Sequence, residues 1–397
     1  MIFDLFKEPI ERLTHSVIDP VVERVLKLSW PRRLLVLSAV LILAGSYLYY
    51  RQLKEAARDS YDEIAVIHTQ SIPLSSTDTI KLRDHIDSLA DHLHAELGKR
   101  GAPGNYTSWT VGQLIVSLQG RSTVGSDELA LFFRKQDADT ECWKQLPTEP
   151  QHLVATSWTL VALADTGAPI SDRGLKCVLE SQNPEGWWPL YRPATRDRFN
   201  ASTYATAWAI LALDSQLRRY VMSEKEVQRV KQAIQNGRSW LEETRIQGKA
   251  RWDDYPFAPE QIESLSLSGL VLHVLHRTGK VPSQEIDGLW LENLPAQAPL
   301  ADEKEVSSHA TALLPDGTFY RDAPRLYVLP WMLIATVDAF EAGTPRQRVH
   351  GLRFVRSCLT SLEESERRIL QFPWAAAEFE IALRYVNNDR VAGDTIL

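Results

Sequence analysis

The sequence has few cysteines. Cys142, Cys177 and Cys358 are the only three in 397 residues. They form no C-x-x-C pair and share no metal-like spacing with histidine, so neither a disulfide framework nor a zinc module is written into the chain. At most one bridge can form, and the spacing does not say which. A basic excess is also missing. Forty-four Lys and Arg stand against fifty-one Asp and Glu, a formal charge of −7, which excludes the basic face a nucleic-acid binder needs to neutralise phosphates. No phosphate-cradling glycine loop and no Ser/His/Asp or Cys/His nucleophile arrangement is recognisable. Alternating strand patterns are absent from the long apolar segments. What is abundant is tryptophan, with twelve copies, the side chain best suited to packing a large flat surface or lining a ligand.

One apolar run carries no charge: residues 34–50, L-L-V-L-S-A-V-L-I-L-A-G-S-Y-L-Y-Y. Seventeen residues is about the shortest helix that crosses a bilayer core. Arg32 and Arg33 precede it, and Arg51 and Lys54 follow. Trp30 lies at one end and Tyr47, Tyr49 and Tyr50 at the other, as an aromatic belt would place them. A single membrane-spanning helix over 30–51 is therefore expected. On its N-terminal side stand Arg24, Lys27, Arg32 and Arg33, and on the other side Arg51, Lys54 and Arg58. Four charges against three lean towards an N-terminus inside and a C-terminal domain outside the cytoplasm. Before the anchor, Phe3, Phe6, Ile10, Leu13, Val17, Val21, Val25 and Leu28 recur at steps of three or four. They define an amphipathic segment over 1–29 that suits a membrane interface, a partner protein or the domain's own surface. A linker helix is expected over 52–78, with Ser75, Ser76 and Thr77 as caps, followed by one domain over 79–397.

That domain repeats. Residues 206–213 read T-A-W-A-I-L-A-L, 156–163 read T-S-W-T-L-V-A-L, 107–114 read T-S-W-T-V-G-Q-L and 268–275 read S-G-L-V-L-H-V-L. Weaker copies are L-P-W-M-L-I-A-T at 329–336 and A-A-E-F-E-I-A-L at 376–383. Each is apolar all round, the mark of a buried helix. Between them lie charged amphipathic stretches: Asp127–Lys135, Asp172–Ser181, Glu224–Arg245, Ser283–Leu294 and Arg346–Arg368. One buried and one surface helix make a unit of about fifty residues. Six such pairs close into a ring, giving an all-α (α/α)6 toroid. At one junction, Gln182, Gly186, Trp187 and Trp188 follow a surface helix. Gly186 is expected to turn the backbone with positive φ, so that Trp187 lies across the seam to the next pair. Related endings are Trp143 and Trp252.

The spacing Q-x(3)-G-x-W at 182–188 resembles the QW motif of squalene cyclases and the related protein prenyltransferases, and T-A-W-A-I-L-A-L is similar to their inner-helix signature. The resemblance spans about 100–385 and is strongest over 156–213. It implies a toroid whose hollow end opens at the N-termini of the inner helices. The catalysts of those enzymes do not carry over. The aspartate run that starts terpene cyclisation would precede Thr206, where Ser202, Thr203, Tyr204 and Ala205 stand. No cysteine begins an inner helix to hold zinc, so no metal or cofactor is expected.

The cavity-lining candidates are Trp109, Trp158, Trp208, Trp331, Tyr204 and His152. The weak catalytic candidates are Asp253 and Asp254, which follow Trp252, with Glu263. Other polar residues of the mouth-side loops are Asn105, Arg196, Asp197, Asn200, Arg321, Asp322 and Arg325. The expected function is a membrane-anchored, non-catalytic toroid that holds a protein, peptide or lipid-like partner within a multi-component membrane system, without nucleic acid. The alternative is a terpenoid cyclase-like or carbohydrate-active enzyme of the toroid class.

Overall fold

The computed structural model describes residues 29–31, 38, 45–50, 52–53, 72–98, 107–118, 142–144, 151–168, 172–192, 197–258, 263–279, 284–295, 311–313, 319–321 and 329–387. The chain divides into two units, Met1–Ile64 and Ala65–Leu397. In the first, the described positions beyond residue 29 are helical, and Trp30, Tyr47, Leu48, Tyr49, Tyr50 and Leu53 are all exposed. Among the described residues no helix is long and apolar enough to cross a membrane. Of the uncharged run 34–50 only residues 38 and 45–50 are described, so the expected span lies largely outside the described residues, as do the amphipathic segment 1–28 and the surface stretch 127–135.

The second unit is built from helices α1 (Ser76–Gly98), α2 (Ser108–Ser117), α3 (Leu153–Thr166), α4 (Asp172–Glu180), α5 (Thr203–Arg219), α6 (Glu224–Glu243), α7 (Leu265–Arg277), α8 (Gln284–Glu292), α9 (Leu329–Phe340), α10 (Pro345–Ile369) and α11 (Pro373–Val386). The expected boundary at 79 falls inside the first turn of α1. The helix starts at Ser76, where the Asp78 amide donates to Ser75 Oγ at 3.1 Å.

The six octapeptide copies form α2, α3, α5, α7, α9 and α11, and each packs on the next in that order. The ring closes because α11 also packs on α2. There Gln113 Nε2 donates to Glu378 Oε1 at 2.7 Å, and Arg384 donates to the Val116 carbonyl at 3.1 Å. Outside, α10 meets α1 through Arg356–Asp78 at 3.1 Å and Lys81–Glu363 at 2.7 Å. Inner helices approach closely where a side chain is missing. A Cβ on Gly269 would lie 2.6 Å from the Trp331 carbonyl oxygen.

The first place of three octapeptides, at 156, 206 and 268, has a definite task. The backbone N–H of Trp143 donates to Thr156 Oγ1, that of Trp188 to Thr206 Oγ1 and that of Trp252 to Ser268 Oγ, each at 3.0 Å. Each hydroxyl in turn donates to the carbonyl of the helix N-cap, His152, Ser202 or Ser264. The N-cap side chain accepts the amide three residues on. So in these three repeats one hydroxyl clamps the end of a preceding segment to the start of the next inner helix. The indoles of Trp188 and Trp252 complete the clamp by donating to Val178 O and Leu241 O, both at 2.7 Å.

Trp188 makes a contact across the seam. Its ring packs against α6, where a Cβ on Gly237 would lie 2.7 Å from it. Trp187 is equally buried, with its N–H on Glu185 at 3.3 Å. Gly186 takes φ +104° as expected, and a Cβ there would lie 2.4 Å from the Asn236 carbonyl oxygen. Gln182 Nε2 reaches both Gly186 O and Ala233 O, at 2.9 and 2.8 Å.

Two small sheets decorate the loops. Strands β1 (Trp188–Pro189) and β2 (Ala201–Ser202) pair antiparallel, as do β3 (Thr311–Leu313) and β4 (Phe319–Arg321). The second pair has no counterpart in the all-helical expectation. Cys142 and Cys177 form a disulfide, with Cα atoms 5.5 Å apart, and Cys358 is buried and free. The bridge ties the segment before Trp143 to α4, where Trp143 packs so closely that a Cβ on Gly174 would lie 2.5 Å from its ring.

Candidate functional site

The third place of the octapeptides holds Trp109, Trp158, Trp208, Leu270, Trp331 and Glu378. The rings of Trp158 and Trp208 are 4.0 Å apart between centroids, and Trp208 meets Trp331 edge-on at 5.3 Å. All three are buried. Trp109 is partly buried and packs on His152 at 5.6 Å and Tyr204 at 5.9 Å. Tyr204 also meets Trp208, at 6.4 Å. The structure thus joins all six cavity-lining candidates into one aromatic cluster through the inner ring. Tyr191, not anticipated from the sequence, adds an edge contact to His152 at 4.9 Å.

His152 is a cap. Its Nδ1 accepts the Ala155 amide at 3.3 Å, and burial lowers its pKa to about 3, so the ring is neutral at physiological pH. Tyr204 titrates well above its ordinary range, chiefly through burial and then through the Glu378 carboxylate.

Asp253 and Asp254 are both buried, and they serve the start of α5. Asp254 Oδ1 accepts from Ser202 Oγ at 2.8 Å and from the Tyr204 amide at 2.9 Å. Its carbonyl accepts the Thr203 amide at 2.8 Å, and the Asp253 carbonyl accepts Thr203 Oγ1 at 2.7 Å. Asp253 Oδ1 accepts the Tyr255 amide at 2.9 Å. Asp254 Oδ2 is buried without a hydrogen-bond partner among the described residues. Burial pushes the Asp254 pKa up to about 7, against the hydrogen bonds from Tyr204 and Ser202. Glu263 does not join this pair. It is half-buried, bonds Lys249 and lies near Arg251.

Glu378, in a weak repeat, went unnoticed in the sequence. Burial pushes it up to about 7 as well, opposed first by the Gln113 hydrogen bond. The Trp331 indole favours its charged form from nearby, without closing a hydrogen bond of standard geometry. Two carboxyl groups that take up protons near neutrality therefore flank Tyr204, since both raise its pKa.

A second polar layer lies towards the C-terminal ends of the inner helices. His273 Nδ1 meets Asp338 Oδ2 at 2.8 Å, and the Tyr385 hydroxyl donates to Asp338 Oδ1. His276 Nε2 meets Asp287 Oδ1 at 2.9 Å, and Arg277 pairs with Asp214 at 2.9 Å. Sequence reasoning missed this layer, because single polar residues in apolar helices look like ordinary core residues. Among the described residues no three His, Cys, Asp or Glu side chains come together to hold a metal ion.

No protein-family model and no curated protein matches the chain. Among solved structures it is similar to the type II terpene cyclase MstE from Scytonema. Against that enzyme with merosterolic acid A, its product, the identity is 12%, covering 79% of this chain and 99% of the other, with a TM-score of 0.47. With geranylgeranyl dihydroxybenzoate, its substrate, the identity, coverage and TM-score are the same. The ligand-free enzyme gives 13% identity and a TM-score of 0.44 over the same shares.

Proposed function

We propose that the protein is a membrane-anchored toroid that holds a partner molecule and performs no chemistry of its own. The observation that carries this reading is the packing of Trp158, Trp208 and Trp331 on one another, at 4.0 and 5.3 Å, inside the ring. Tryptophans that fill the ring leave its loops and outer surface as the working face. The reading gains from Asp253 and Asp254, whose hydrogen bonds are spent on holding α5. A partner protein, peptide or lipid-like molecule is held within a membrane assembly. If so, replacing Asp253 and Asp254 by Asn keeps their acceptor oxygens and leaves partner association unchanged. Substitutions along Phe3, Phe6 and Ile10 or around the ring's mouth abolish it, as cross-linking in native membranes reads out. Loss of association in the Asn variant with unchanged folding contradicts the proposal.

The second reading, an enzyme of the toroid class, is favoured by one observation. Asp254 Oδ2 is buried without a partner, on a carboxyl with a pKa near 7. That suits a general acid.

The anchor is the uncharged run 34–50, and the exposed aromatic residues Trp30, Tyr47, Tyr49 and Tyr50 suit a bilayer boundary. Leu37→Arg with Leu41→Arg places two charges at the bilayer centre, at about 2.5–3.5 kcal/mol each on insertion scales. The protein is then expected in the soluble fraction. Retention in the membrane after alkaline carbonate washing contradicts the anchor.

The ring lies outside the cytoplasm. The Cys142–Cys177 bridge supports this side, because such bonds persist in oxidising compartments. Chain isolated under acid quench and alkylated in denaturant should expose one thiol, Cys358, before reduction and three after it. Three thiols before reduction contradict the assignment.

A further inference from the structure

The inner helices run parallel and end on one face. Contacts between them join like places: Trp158 with Trp208 and Trp208 with Trp331 at the third place, Arg277 with Asp214 and Arg384 with Val116 near the ends. The turns 220–223 after α5 and 341–344 after α9 therefore leave the same face, opposite the mouth. The chain also enters the ring here. Ile72 and Leu74 pack on Phe340, the last residue of α9, and on Val349 and Leu352 of α10. From this entry α1 runs beside α10 in the same direction, with Asp78 on Arg356 and Lys81 on Glu363.

Residues 51–71, twenty-one positions, separate this entry from the uncharged run 34–50. Such a length reaches at most about 75 Å fully extended. With the run in a bilayer, the face that the tether enters meets the lipid surface at a roughly millimolar effective concentration, where weak contacts suffice. Presenting the mouth instead would spend the tether along the depth of the ring, about 26 Å for the seventeen residues of α5. The entry face also holds out an aliphatic tip. Val221 is fully exposed in the turn after α5. The turn is firm: the Tyr220 hydroxyl donates to Ala168 O at 2.6 Å and Leu163 O at 3.1 Å, and Ser223 and Glu226 form the capping box that opens α6. Arg218 and Arg219 precede Val221 and Lys225 follows, all exposed; Glu224 and Glu226 stand beside them, the latter turned back on Ser223. Ile80, in the second turn of α1, is exposed as well. Aliphatic tips with basic neighbours suit the boundary between headgroups and acyl chains.

We propose that the ring rests on the bilayer surface with the C-terminal ends of its inner helices, Val221 foremost, turned to the lipid headgroups, and with its mouth turned away. The inference rests on the anchored, partner-holding reading and adds the side from which a partner arrives. It reaches the mouth from the aqueous compartment, not through the membrane.

The test reconstitutes the full-length protein in nanodiscs of phosphatidylcholine and phosphatidylglycerol that carry a few lipids with rhodamine headgroups. A fluorescent donor is attached to a single introduced cysteine: Val221→Cys or Asp172→Cys on the entry face, Phe199→Cys or Lys249→Cys on the mouth side. All four positions are exposed, so the substitutions leave the core intact. Cys142 and Cys177 are bridged and Cys358 is buried, so the label stays on the introduced thiol. Energy transfer to the lipid at 221 and 172 is expected to be at least about twofold that at 199 and 249, given the ~26 Å between the two faces. Equal transfer at the two faces, or more at 199 and 249, would overturn the proposal and leave the anchor standing. Failure of the wild-type protein to enter the discs overturns the anchor, and this proposal with it.

Discussion

Trp188→Ala is expected to destabilise the protein by about 3–5 kcal/mol, the usual cost of emptying a buried tryptophan site. Trp188 is fully buried, its ring fills the space that Gly237 leaves on α6, and its N–H satisfies the Val178 carbonyl at 2.7 Å. The alanine leaves a cavity and an unmet carbonyl at the seam between two repeats. Its backbone N–H still reaches Thr206, so the loss is one of packing and of the indole bond. Guanidinium unfolding of the full chain measures it, and a change below about 1 kcal/mol contradicts the clamp.

The second large effect is a pH dependence. Asp254 and Glu378 are both pushed up to about 7 by burial, whereas free carboxyls ionise near 4. The folded chain therefore holds more protons than the unfolded chain between those values. Stability from these two groups is full at the acid end and falls as pH rises towards 7. The slope is up to about 1.4 kcal/mol per pH unit for each group. His152 works in the opposite direction. Folded, it stays neutral down to about 3, while the unfolded ring binds a proton below about 6.5. The difference between variant and wild type isolates the carboxyls. Asp254→Asn with Glu378→Gln keeps the acceptors for Ser202, Tyr204 and Gln113. It is expected to remove the fall between about pH 4.5 and 7, as unfolding midpoints across that range would show. An unchanged profile contradicts protonated interior carboxyls.

Much of the ring was legible because its logic is local. The octapeptides recur, their first hydroxyl sits beside its own cap, and the glycine turn lies four residues after its glutamine. The surface stretches 172–181, 224–245, 283–294 and 346–368 all hold helices, with ends shifted by a few residues. The interior chemistry was not legible because it is non-local. Gln113 and Glu378 are 265 residues apart, and His273 and Asp338 are 65 apart. Glu378 replaces the tryptophan of the third place, so the weakness of that repeat concealed a buried carboxyl. Asp253 and Asp254 were visible as acids, yet only the fold reveals that they reach back 50 residues to start α5. That the Trp188 ring lies against α6 depends on the close approach at Gly237, which a single sequence does not show.

The account is tested most directly by incubating the purified full-length protein with squalene, oxidosqualene and shorter prenyl diphosphates, and analysing the products by gas chromatography and mass spectrometry. A toroid that holds a partner returns every substrate unchanged, with wild type and Asp254→Asn indistinguishable. A cyclised product from wild type that disappears in Asp254→Asn would contradict it and make that buried carboxyl a catalytic acid.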